Sequence, residues 1–196
     1  MDPMSPRNLL FLFFISFFSL FGTRAATSVA AEASGPHFTD IIVTTSDTHL
    51  LLFGDLRNSL TDDMLDGLHS GIPIRFSFFI ELKKNVPNWL DDELFSEQFS
   101  HSLSYDTLKE IYIVETEESS KKKHTTPVLE EAKKLLNEIN GLRIVELTRL
   151  EPEKTYRLRI KADLNRKSLP LSLHNIIPFV SWWDLKTDWH TVEFIY

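Results

Sequence analysis

The sequence predicts a mainly β domain, an antiparallel β-sandwich-like fold carrying two peripheral helices. Three observations predict it. In residues 72–84, Ile72, Ile74, Phe76, Phe78, Ile80 and Leu82 fall on one face, the period-two alternation of a strand with one buried side. Tyr156, Leu158, Ile160, Ala162 and Leu164 alternate with Arg157, Arg159, Lys161 and Asp163, and such clean alternation belongs to antiparallel sheet with one solvated face. Weaker strand signals over 38–46, 49–56, 97–105, 108–117, 143–148 and 191–196 bring the count to eight, which is the range of a sandwich.

Ahead of these strands, Arg7 precedes the uninterrupted apolar run Leu9 to Phe21. Thirteen residues fall short of the roughly 20 that span a bilayer as a helix, so residues 1–30 read as a secretory signal. Thr23 and Ala25, or Ser28 and Ala30, supply the small residues for a cut after Ala25 or after Ala30. An uncleaved anchor extended through Ala33 is the alternative, and Arg24 interrupts it. The expectation is therefore an exported domain over 31–196, periplasmic or extracellular, held at the inner membrane only if the leader is retained.

Two helices are expected among the strands. Thr61 caps a short one, with Leu60 placed to staple against Leu65 and Gly71 beyond its end. The longer one runs from Pro127 to Asn140. Thr126 is its cap, proline takes the first turn, Gly141 closes the end, and Val128, Leu129, Ala132, Leu135, Leu136 and Ile139 form one apolar stripe. The stretch 115–125 has no apolar periodicity and reads as a mobile surface loop.

Composition removes several classes of function. Of 196 residues none is cysteine, 28 are acidic and 21 basic. Without residues 1–30 the balance is 27 acidic against 19 basic side chains, a net charge of −8. Disulfides, thiol catalysis and thiolate-held clusters are excluded, and an acidic surface repels nucleic-acid phosphates. With six glycines in all, neither a phosphate-cradling loop nor a G-x-S-x-G elbow is present. No cofactor is expected.

The ordered set of Gly71-Ile-Pro-Ile-Arg-Phe76, Asn88-Trp-Leu-Asp91, Leu103-Ser-Tyr-Asp-Thr-Leu108, Tyr156 to Leu164, Leu169-Pro170 and a closing Trp183-Asp-Leu-Lys-Thr-Asp-Trp189 resembles the bacterial domain of unknown function 4390 family. The likeness covers nearly all of the chain beyond the leader. It implies an exported, non-enzymatic envelope domain, and it supplies no catalytic residue. The first turn departs from the family in having Trp89 as its one tryptophan, without the flanking arginine.

The chemistry-bearing residues are sparse. The seven histidines form no metal-ligand spacing. His101 shares its strand face with Phe99, Leu103 and Tyr105, the setting of a satisfied core imidazole. Asp62, Asp63 and Asp66 suit a helix N-terminus, whereas Asp91, Asp92 and Glu93 suit a solvated turn and lack calcium-loop spacing. The most unusual composition is the tryptophan cluster near the C-terminus. Trp182, Trp183, Asp184, Asp188 and Trp189, with His174 and His190, are the candidate binding surface, since indole serves both interiors and interfaces. The expected function is binding to another envelope protein. A glycan- or peptidoglycan-binding module is the first alternative. The second is a hydrolase, which requires at least two of Asp91, Asp92, His101, His174, Asp184 and His190 in one cleft.

Overall fold

The computed structural model describes residues 35–86, 91–118, 120–164 and 185–196. The described strands are β1 (His37–Thr45), β2 (His49–Arg57), β3 (Ile74–Lys84), β4 (Asp92–Asp106), β5 (Ile111–Thr116), β6 (Lys122–Thr126), β7 (Glu138–Glu146), β8 (Thr155–Leu164) and β9 (His190–Ile195), with helices α1 (Asp62–His69) and α2 (Leu129–Asn137). They form two antiparallel sheets, one ordered β1-β2-β7 and the other β6-β5-β4-β3-β8-β9. The expected mainly β, antiparallel architecture with two helices is thus present, with nine described strands instead of eight. Among the described residues no helix is long and apolar enough to cross a membrane.

The alternation in β3 and β8 is what builds the core. Ile74, Phe76, Phe78, Ile80 and Leu82 on β3 and Tyr156, Leu158, Ile160 and Ala162 on β8 are all buried. They form one apolar cluster with Leu50, Leu52 and Leu56 of the smaller sheet and with Met64, Leu68, Ala132 and Leu136 of the helices. Phe38 of β1 lies 6.3 Å from Phe78 of β3, centroid to centroid, so the two sheets meet face to face.

Helix α1 is framed as its sequence implies. The Thr61 side chain accepts the Met64 N–H, and Asp62 and Asp63 occupy the first turn. At the other end the Ile72 N–H reaches the Gly67 carbonyl and the Gly71 N–H that of Leu68. This closure needs a left-handed residue, and Gly71 supplies φ +87°.

Helix α2 corrects the expectation at both ends. It starts at Leu129, and Thr126 organises the approach from outside: its hydroxyl accepts the Val128 N–H at 3.1 Å and donates to Glu131 at 2.5 Å. It stops at Asn137, and residues 138–140 join β7, where Asp55 pairs with Glu138 and Gly54 with Ile139. Ile139 is buried as expected, but from a strand. Gly141 does not cap the helix: Phe53 pairs with Asn140 and Leu52 with Leu142, which leaves Gly141 as the extra residue of a bulge at φ +74°. Pairing with β2 outweighs the helical periodicity of the last turn, a tertiary override of local propensity.

The expected mobile loop 115–125 is also corrected, because β6 pairs with β5 from Thr116–Lys122 to Tyr112–Thr126. Apart from Thr126 its side chains are exposed, so an edge strand held by backbone bonds alone leaves no periodicity to read. The strand expected from Leu108 begins three residues later. The Asp106 carboxylate accepts the N–H groups of Leu108 and Lys109, each at 3.1 Å, and so fixes a turn. Those bonds, the Lys109 one foremost, hold this carboxyl below its ordinary value.

Candidate functional site

Three of the seven residues of the expected binding surface, Asp188, Trp189 and His190, are described. Trp182, Trp183, Asp184 and His174 lie outside the described residues. The chain reaches Trp189 along β8. The Leu164 N–H donates to the Leu185 carbonyl, the Thr187 N–H donates to the Ala162 carbonyl, and the Ala162 N–H donates to Thr187 Oγ1 at 3.0 Å. That buried hydroxyl accepts where a ladder carbonyl would, and regular pairing resumes with Ile160 opposite His190.

Trp189 is half-buried under cations. The Arg159 guanidinium lies 4.3 Å from its ring centroid, and Lys161 Nζ lies 5.1 Å from the same ring and 4.6 Å from that of Phe79. A contact of this kind contributes about 0.5–1 kcal/mol near solvent. The cations of β8 are tied to acids: Arg159 to Glu81 of β3 at 3.6 Å, Lys161 to Asp163 of its own strand at 3.5 Å, and Arg157 to Glu193 of β9 at 2.8 Å and to Asp91 at 3.0 Å. The Glu193 hydrogen bond in particular stabilises the Arg157 charge and raises its pKa.

Beside Trp189 lies a shallow groove of about 260 Å³, lined by Gly35 to Phe38 and by Thr187 to His190. It brings His37 beside Asp188, Trp189 and His190. Within it His37 Nδ1 donates to the Gly35 carbonyl at 2.8 Å, since a carbonyl can only accept. His37 was not legible as a site residue, because the sequence carries no sign that the starts of β1 and β9 adjoin.

A larger cleft of about 460 Å³ lies between residues 55–60 and α2. Its charges are mutually satisfied, with Arg57 on Asp55 at 2.6 Å, Lys133 on Glu130 at 2.8 Å, and Ser59 donating to Asn137 at 2.7 Å. Lys134, the third cation of the lining, lies 3.9 Å from Glu138.

The described acids and histidines weighed as catalytic candidates, Asp91, Asp92, His101 and His190, are dispersed. Asp91 pairs with Arg157, and Asp92 lies 3.9 Å from Lys84. His101 is fully buried against the rings of Phe78 and Phe99, the core imidazole that its position implied; its Nδ1 donates to the Leu136 carbonyl at 2.9 Å, whereas its Nε2 has no hydrogen-bond partner. Of these four described residues, the groove contains His190. Among the described residues no group of three or more His, Asp or Glu is placed to hold a metal ion.

The chain was compared with protein families, curated proteins and solved structures. No curated protein and no solved structure matches it. A family described as a domain of unknown function (DUF4390) matches residues 33–193, most of the chain. The protein therefore belongs to the DUF4390 family.

Proposed function

We propose that this is an exported cell-envelope domain that acts by binding another protein through the surface around Trp189. The observation that carries the reading is the pairing of Trp189 with Arg159 on the outward face of the larger sheet, since tryptophan and arginine are the residues most enriched at the energetic centres of protein interfaces. The adjoining groove, at about 260 Å³, is below the roughly 300–1,000 Å³ of small-molecule sites. It suits one inserted side chain better than a cofactor. Export rests on the apolar run behind Arg7.

A glycan or peptidoglycan contact is the second reading, favoured by Asp188 and His190 flanking the indole in the same groove. Arg159 occupies one face of that indole, which leaves at most one face for a sugar ring.

Affinity capture from an envelope extract tests the proposal, with purified peptidoglycan as a parallel arm. Trp189→Ala and Asp188→Lys are expected to abolish capture of a defined protein while the melting temperature stays nearly unchanged. Retention on peptidoglycan with no protein captured would replace the first reading by the second. Capture unaffected by both substitutions would overturn the assigned surface. Intact mass of the exported protein tests the leader: retention of Met1 to Phe21 would establish the anchor in place of the cleaved signal.

A further inference from the structure

The two sheets present four outer strands, and three of them are blunted against further pairing. β1 carries a bulge between Thr39 and Ile42, with Asp40 at φ 53°. β7 has two register shifts against β2, one of them the Gly141 bulge. β6 exposes Lys122, Lys123 and His124. Bulges and edge lysines are the usual devices that keep a sheet from adding a strand. β9 has none of them: it holds six consecutive pairs with β8 without a shift, from Thr155–Ile195 to Ile160–His190, and has neither proline nor lysine. Its one carboxylate, Glu193, is already paired with Arg157 at 2.8 Å.

The direction of its free backbone groups follows from its end. The Tyr196 N–H donates to the Lys154 carbonyl, and its own carbonyl accepts the Glu153 N–H, so Tyr196 points at β8. By the alternation of an antiparallel ladder, Phe194, Val192 and His190 point the same way, while Thr191, Glu193 and Ile195 direct their N–H and C=O groups outward. Among the described residues nothing pairs with that edge.

We infer that β9 is the interface for a second copy of this chain, joined antiparallel about a two-fold axis at Val192. That register sets Thr191 against Glu193 of the second copy, and Glu193 against its Thr191. It also sets Ile195, 73% exposed, against Trp189 of the second copy on the same face, and Phe194 against its His190. Every opposed pair is then apolar, aromatic or uncharged against charged. The neighbouring register, centred on Glu193, would oppose two carboxylates and is disfavoured. The six-stranded sheet continues unbroken into its copy. The inference goes beyond the heterologous partner proposed above and does not depend on it.

The absence of native cysteine makes the test direct. On the axis, Val192 and its counterpart form a non-hydrogen-bonded pair with Cα atoms about 4.5 Å apart, within disulfide reach. Val192→Cys is therefore expected to yield a covalent dimer on mild oxidation, and Glu193→Cys is not. In sedimentation velocity on the protein as isolated from its host, the wild type is expected to dimerise reversibly. Thr191→Pro, which removes an outward N–H and spares the β8 ladder, should weaken the dimer at least tenfold with an unchanged melting temperature. Ile195→Lys serves the same purpose if the proline variant does not fold. A wild type that stays monomeric to about 1 mM, a dimer indifferent to both substitutions, or cross-linking at 193 instead of 192 would overturn the inference. Asp188→Lys and His37→Ala alter the groove and not the β9 edge, so capture that survives both with an intact dimer counts against the proposed function alone.

Discussion

His101 and Glu118 meet inside the domain, with the imidazole Nε2 2.9 Å from Oε1 and side-chain exposures of 0% and 18%. Both atoms are enclosed, and the approach lies off the line of a hydrogen bond, so the contact is a close polar approach and not a directed bond. With Nδ1 on the Leu136 carbonyl, one ring ties β4 to the C-terminal turn of α2 and to the chain leaving β5. Removing one of two enclosed polar groups leaves the other without its neighbour, at about 1–3 kcal/mol, whereas replacing both by apolar groups is often nearly neutral. Glu118→Ala is expected to destabilise the domain strongly, and adding His101→Leu should recover a large part of that loss. Denaturant titration of both single variants and the double variant checks it. A double variant that loses the sum of the two single losses would show that the pair is not coupled.

Leu136 is fully buried on α2, while Glu131 on the same helix is exposed but holds the Thr126 hydroxyl at 2.5 Å. Leu136→Asp removes about 2–5 kcal/mol of packing and buries a charge besides. Glu131→Ala, which the helix periodicity alone would place as neutral, is expected to cost about 1 kcal/mol through the lost hydrogen bond. Thermal unfolding separates the cases: equal shifts for the two variants would mean that α2 is not docked through Leu136.

Tyr112 supplies a pH dependence. Its hydroxyl lies 2.8 Å from His69 Nε2, and its ring lies 4.8 Å from that of Tyr105. Burial, and then Tyr105, pushes the phenol above its ordinary value. The folded state therefore keeps its proton after the unfolded chain has lost it. The contribution is full below the ordinary tyrosine value of about 10 and is lost as pH rises through the raised one. Tyr112→Phe should be less stable at neutral pH, for want of the His69 bond, yet show a shallower alkaline decline. Parallel declines for the two proteins in alkaline denaturation curves would exclude this assignment.

How much of this was legible in the sequence depended on whether a residue's neighbours are local. The alternation in β3 and β8 names their buried faces outright, because a solvated sheet face must be polar at every second position. The ends of α1 follow from Thr61 and Gly71, since capping is completed within a few residues. His101 was readable as core for the same reason, from the apolar company on its strand face.

Where the deciding partner is distant in sequence, tertiary structure alone settled the outcome. The last helical turn of the apolar stripe became β7 because β2, some 85 residues earlier, offered ladder bonds to residues 138–140, and a full ladder outweighs one turn's propensity. β6 was invisible because its stability comes from backbone bonds to β5, which impose no side-chain pattern. The sequence by itself determined the mainly β class, the apolar faces and the acidic, cysteine-free character. Only the folded chain could set Arg159 over Trp189, bring His37 into the groove and leave β9 as the regular outer strand among the described residues, because each depends on strand order, and strand order is fixed by pairings that local periodicity does not encode.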